Sequence, residues 1–266
     1  MEVKSLGYRT DLIFPAFDGE IIDRGSYIVV RTPSNPTFYW GNFLLFENPP
    51  AEGDYDRWRE QFAREVGVPP LTRHMAFGWD TVRGEEGIVA PFLAGGFRLD
   101  RSTVMSTHRL TPPARRAAEL IVRPLQSDDD WAQAVENQVA TREPESTEAG
   151  YRIFRERAMA RYRAMAGRGL GDWFGGFLGP RLVADLGIFR SGGLGRYQSV
   201  QTLPEFRRRG CAGTLVYEAS MYAMSRCGLD TLVIVAETDS AAGRLYRSLG
   251  FAVAEYQTGL AKFPAE

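Results

Sequence analysis

From Pro204 to Leu215 the chain reads PEFRRRGCAGTL. Three consecutive arginines, Arg207, Arg208 and Arg209, run into Gly210, Cys211, Ala212 and Gly213, and then into an apolar stretch that begins with Thr214 and Leu215. A helix N-terminus carries unpaired backbone N–H groups and a partial positive charge, so it is an anion site. Small residues let a phosphate reach the backbone, and the arginines add charge outside. With the strand-like Tyr197–Thr202 before it, the segment is a candidate phosphate cradle. It is not a Walker loop, because the G-x-x-x-x-G-K-S/T pattern is missing, nor the G-x-G-x-x-G dinucleotide fingerprint. An arginine run also reads as a solvated basic turn, and the loop alone does not separate the two.

Other reactive residues are few. His74 and His108 are the only histidines and Cys211 and Cys227 the only cysteines. No metal-ligand spacing and no disulfide framework follow from them, and neither histidine sits in a motif that suits a nucleophilic triad. Cys211 stands where a helix N-terminus would lower a thiol pKa, or it is a small packing residue. Arg152, Arg155, Arg157, Arg161 and Arg163 form either a solvated helix face or a lure for an anionic acceptor. Net charge is −1 over 266 residues, which gives no general pull toward nucleic acid or membrane. No apolar run approaches the ~18 residues of a membrane span, and MEVKSLGYRTDLIF lacks the build of a signal peptide. The expectation is a soluble, cytoplasmic chain that uses no metal, with its oligomeric state left open.

The elements that must hold the loop alternate. Ala118–Pro124 reads as a strand. Ser127 with three following aspartates caps a helix, acid at its positive end. A longer helix is expected from about Ser146 to Met165, ended by Gly167 and Gly169. Trp173–Leu178, Leu182–Arg190 and Tyr197–Thr202 read as strands between glycine turns. After the arginine loop comes a helix with Ala212, Leu215, Val216, Ala219 and Ala223 on one face. LVIVA, Leu232–Ala236, is a strand buried on both faces. A helix over Ser240–Ser248 stops at Gly250, and Phe251–Phe263 supplies a last strand or two. The fold class is therefore α/β, with a mixed, mostly antiparallel sheet flanked by helices.

These residues carry a resemblance. Arg207-x-x-Gly210-x-Ala212 fits the Q/R-x-x-G-x-G/A motif of the GCN5-related N-acetyltransferases. Asp239-Ser-Ala-Ala-Gly-Arg-Leu-Tyr246-Arg-Ser-Leu-Gly-Phe251 resembles that family's N-x-x-A-x-x-L-Y-x-x-x-G-F. The resemblance implies acetyl-CoA as acyl donor, with an amine acceptor. It implies that the fourth and fifth strands splay and that backbone near Val200 and Thr202 holds the pantetheine arm. Backbone N–H groups from Arg208 to Gly213 would hold the pyrophosphate, within a cofactor-binding set of Arg207, Arg208, Arg209, Gly210, Cys211, Ala212, Gly213 and Thr214. Tyr246 would protonate the departing thiolate. The family's Asn is Asp239 here, which preserves a helix cap but puts cofactor contact at that position in question. For the base, Glu237 is the first candidate and Asp185 the second. A non-catalytic acyl-CoA-binding regulatory module is the competing reading.

Pro112 and Pro113 mark a linker, so the expected domains are 1–115 and 116–266. The first resembles a worn copy of the second. Gly250 follows Gly96 by 154 positions, and Pro204 follows Pro50 by the same 154. The copy has Phe92 in place of Tyr246 and the acidic Pro49-Pro50-Ala-Glu-Gly-Asp54 in place of the cradle. It is expected not to bind CoA, and to shape an acceptor pocket with Tyr39, Trp40 and Phe43.

Overall fold

The computed structural model describes residues 1–142 and 147–264. In chain order it contains α1 (Leu6–Asp11), α2 (Pro15–Asp18), β1 (Glu20–Asp23), β2 (Tyr27–Arg31), β3 (Phe43–Phe46), α3 (Asp54–Glu65), β4 (Met75–Trp79), α4 (Ala90–Ala94) and β5 (Arg98–Thr107). There follow β6 (Ile121–Pro124), α5 (Asp128–Ala140), α6 (Glu148–Gly167), β7 (Gly171–Leu178), β8 (Arg181–Ser191), β9 (Leu194–Thr202), α7 (Cys211–Cys227), β10 (Thr231–Glu237), α8 (Ala241–Ser248) and β11 (Ala252–Lys262). Ser146, where a helix start was expected, lies outside the described residues, and α6 opens at Glu148.

The chain forms two compact units that are not consecutive halves. The first comprises Met1–Val104, Ala236–Thr238 and Val253–Glu266; the second comprises Met105–Val235 and Asp239–Ala252. The chain passes from one to the other inside β5, ahead of the proline linker, and β11 belongs almost wholly to the first unit.

In the first unit the strand order is β1-β2-β3-β4-β11-β5. β11 pairs antiparallel with β4, Gly259 opposite Gly78, and β3 pairs parallel with β4. The core is aromatic: Trp58 and Phe62 of α3, Phe77 and Trp79 of β4, with Phe92 and Phe97. Phe46 and Trp58 stack at 3.8 Å between centroids. Phe43, which the sequence offers as a pocket wall, is buried in a core cluster with Tyr8. Tyr39 is stacked on the His74 ring at 4.5 Å.

In the second unit β10, β9, β8, β7 and β6 lie side by side in that order, with β5 next to β10. β6 to β9 are antiparallel neighbours, and β9 to β10 is parallel. Leu232, Val233 and Ile234 are buried, as a continuous apolar run in a covered strand must be. α5 begins with a capping box of Ser127 and Asp130. Asp130 also takes a double hydrogen bond from Arg123, which holds its carboxyl far below the usual range. α5 and α6 cover one face of the sheet, where Phe189 meets Tyr162 at 5.2 Å. α7 packs on β7, β8 and β9, and there the Tyr197 hydroxyl meets that of Ser220.

Candidate functional site

The ladder between β9 and β10 is short. Its rungs run from Leu194 opposite Thr231 to Arg196 opposite Val233. β9 itself continues to Thr202, paired on its other side with β8. From Tyr197 onward, then, the two strands share no rungs, and a gap opens toward their C-terminal ends. Ser199 has φ +45, and the β8–β9 register slips between Asp185 and Gly187. This bulge bends β9 at the start of the gap. Val200 sits half-buried just beyond it. Thr202 is buried, and its Oγ1 has no partner among the described residues.

The arginine loop follows. Arg207 turns its Nε back to the Thr202 carbonyl at 3.1 Å, Arg208 has φ +60, and Gly210 caps α7 with φ +86. The first helical bond is Thr214 N–H to the Gly210 carbonyl, 3.0 Å, and no side chain caps this helix. The leading amides of α7 keep their donors, and Arg207, Arg208 and Arg209 are exposed around them. Arg209 lies over the Phe206 ring at 5.3 Å.

The small residues of the loop also serve the chain itself. A Cβ on Gly210 would stand 2.7 Å from the Arg115 carbonyl, and one on Gly213 would stand 3.3 Å from Pro113. Arg115 donates to the Arg208 carbonyl at 2.7 Å. Ala117 N–H donates to Thr214 Oγ1 at 2.9 Å, so that hydroxyl holds the linker. Farther along, Thr111 N–H bonds the Leu249 carbonyl at 2.9 Å. Residues 109–117 thus run along α8 and α7 as a strap. Two prolines without regular periodicity give no sequence signal for where such a segment docks.

Tyr246, 5% exposed, lies on α8 with Phe251 at 6.1 Å. Phe251 also meets Tyr197, the first residue past the last β9–β10 rung, at 5.8 Å. Burial pushes the Tyr246 pKa well above that of a free phenol, so its proton is in place at neutral pH. Asp239 does not cap α8. Ser240 does, its Oγ accepting from Gly243 N–H at 3.1 Å, while Asp239 is exposed with φ +62. The left-handed turn at Asp239 takes the expected cap out of position, and the adjacent Ser240 fills it. Cys211 is buried and its thiol is pushed up by burial, the reverse of the lowering expected at a helix N-terminus.

Glu237 ends β10 and is exposed; its charge and, above all, burial raise the Asp100 carboxyl. Asp185 is fully buried on β8. It accepts hydrogen bonds from Asn137 and Gln138 of α5 and, at 3.1 Å, from Trp173 Nε1. Burial lifts its pKa to about 7 against those donors. The sequence marks Asp185 as a candidate but gives no sign of these partners, which come from elements far apart in the chain.

Residues 181–258 match the FR47-like protein family. No curated protein matches the sequence. Among solved structures, a GCN5-related N-acetyltransferase from Kribbella flavida aligns at TM-score 0.66, with 14% identity over 98% of this chain and 97% of its own. The chain has the fold of the GCN5-related N-acetyltransferases. A conserved protein of unknown function from Staphylococcus epidermidis shares that fold at TM-score 0.70 and 13% identity, covering 94% of this chain and 96% of its own. A tandem acetyltransferase-fold protein from clavulanic acid biosynthesis aligns at 0.56 and 12% identity, over 100% of this chain and 91% of its own. Within this acetyltransferase fold, β9, the arginine loop and α7 all lie in the family-matched segment.

Proposed function

We propose that the chain transfers an acetyl group from acetyl-CoA directly to an amine. The observation that carries this reading is the early end of the β9–β10 ladder beside an uncapped, arginine-ringed helix start. The gap suits an extended pantetheine arm against the Val200 and Thr202 backbone, with the orphaned Thr202 hydroxyl as a further partner. The free amides at the head of α7, together with Arg207 to Arg209, suit the pyrophosphate. Asp239, exposed and relieved of the cap, stays at the margin of this cofactor site.

In the proposed reaction the acceptor ammonium first gives up one proton. Glu237, an exposed carboxylate, is our candidate for that base. The amine lone pair then attacks the thioester carbon, the C–N bond forms and the C–S bond breaks. The thiolate takes the Tyr246 proton, and the second nitrogen proton leaves through solvent, from which Tyr246 is reprotonated.

We read the first unit as a degenerate copy that does not bind CoA. Its helix α3 also opens on an uncapped left-handed glycine, Gly53 with φ +82. The next residue, Asp54, is buried; it accepts from Ala51 N–H at 2.8 Å and pairs with Arg57. A carboxylate of the chain thereby occupies the loop where the second unit offers free amides.

Thermal unfolding with acetyl-CoA tests the cofactor reading. A ligand at 100 times its dissociation constant adds about 2.7 kcal/mol. Wild type is expected to be stabilised. Ala212→Glu places an acid in the first turn of α7, where the helix tolerates it, and is expected to lose the shift by repelling phosphate. No shift in wild type at millimolar acetyl-CoA overturns the reading.

A further inference from the structure

Asp185 is the one fully buried carboxylate among the described residues, and no step above uses it. It lies where β9 departs from regular pairing. Gln138 joins the two features: its Nε2 donates to Asp185 and also, at 3.2 Å, to the carbonyl of Ser199. The Gln138 Oε1 has no partner among the described residues, so the donors alone set the direction of this amide. From the other helix Arg155 donates to Ser199 Oγ at 3.0 Å and is itself held by the Tyr151 hydroxyl. Ser199 is therefore held through its carbonyl from α5 and through its hydroxyl from α6, in a left-handed conformation that a serine rarely adopts.

We propose that Asp185 is a positioning residue: through Gln138 it holds the Ser199 bulge, and so keeps the β9–β10 gap in the form that accepts acetyl-CoA. This rests on the cofactor reading above. The ionised carboxylate matches the three donors that face it. A protonated carboxyl would turn an O–H toward one of those amides. Gln138 would then rotate to accept that proton with Oε1, and its N–H would leave Ser199. The groups around Asp185 are Asn137 and Gln138 of α5, Trp173 of β7, Gln201 opposite it on β9, and Arg155 of α6, whose positive charge favours the ionised form. The pKa of Asp185, about 7, puts the change within reach of ordinary buffers.

The test is the acetyl-CoA dissociation constant between pH 5.5 and 8.5, with amide hydrogen exchange of Tyr197–Thr202 measured in the same samples without ligand. Losing the bond from Gln138 N–H to the neutral Ser199 carbonyl corresponds to up to about a tenfold change. Wild type is expected to bind up to about tenfold more weakly at pH 5.5 than at pH 8.5 by that measure. Asp185→Asn, whose NH2 faces donors where a carboxylate oxygen accepted, is expected to bind at the weak level throughout, with faster exchange across β9. Gln138→Met leaves the acid in place and removes the link to Ser199. It is expected to show the same weak, pH-independent affinity, and it carries the test should Asp185→Asn fail to fold. Equal affinity and equal pH dependence in wild type and Gln138→Met overturn the proposal. If acetyl-CoA does not bind at any pH, the cofactor reading fails, and the exchange rates still decide whether Asp185 governs β9. Unchanged β9 exchange in both variants then rejects the positioning role.

Discussion

Tyr246 does two jobs that one substitution separates. Its ring fills space beside Phe251, and its hydroxyl supplies the proton in the proposed reaction. Tyr246→Phe keeps the ring, so unfolding should shift by less than about 1 kcal/mol. Positioned general acids contribute roughly 10²–10⁴-fold, so acetyl transfer should fall by about 10² while acetyl-CoA affinity is retained. A variant with full turnover removes Tyr246 from the chemistry. Asp185 carries a second prediction at this scale. Its folded pKa, about 7, lies above that of an ordinary carboxyl, so the folded state holds the extra proton. The contribution to stability is fully present below about pH 4, the range of an unfolded carboxyl, and is lost as pH rises from there to about 7, by on the order of 4 kcal/mol at most. Asp185→Asn should lose this slope, as thermal unfolding across pH will report. The ionised form that the proposal requires for cofactor binding is also the form that burial penalises.

The helix start of α7 combines a backbone demand with a packing demand. Gly210 needs φ +86, and the space beside its Cα is taken by the Arg115 carbonyl. Gly228, at the other end of the same helix, has φ +63 and open space around it. Gly228→Ala should cost only the left-handed strain, about 1 kcal/mol. Gly210→Ala must also push the strap away and should cost about 2–3 kcal/mol. Denaturant unfolding of the pair compares them directly; equal costs would mean the strap yields freely. The strap also explains why Thr214, within the expected cofactor set, has its hydroxyl bonded to Ala117 instead.

At the scale of the molecule neither unit is one continuous stretch of chain. The first unit contains β11, paired with β4, although β11 is the last element of the chain. A 116–266 fragment loses β4 and with it the partner of β11, and it also loses β5 from the side of β10. Open strand edges of this kind pair with other chains. Such a fragment should therefore aggregate or unfold, and a chain ending at residue 252 should lose the first unit; circular dichroism and light scattering will show both. A soluble, cooperatively unfolding 116–266 fragment would show that β11 and β10 do not need those neighbours. Among the described residues no helix is long and apolar enough to cross a membrane.

Local order was legible in the sequence. Strands and helices from β6 to β11 fall close to their expected spans, because apolar periodicity, Ser and Asp caps and glycine stops act over a few residues. The loop motif and the Asp239–Phe251 signature likewise placed Tyr246 and the head of α7. The sequence reading makes Asp239 the cap of α8, and the backbone turn gives that place to Ser240 instead. Tertiary structure alone decided the rest. The Arg115 carbonyl fills the space beside Gly210, Gln138 links Asp185 to Ser199, and β11 completes the first unit's sheet. Each of these contacts joins residues tens to hundreds of positions apart. They form because buried polar groups must find partners and strand edges must be covered, and neither need names its partner in the local sequence.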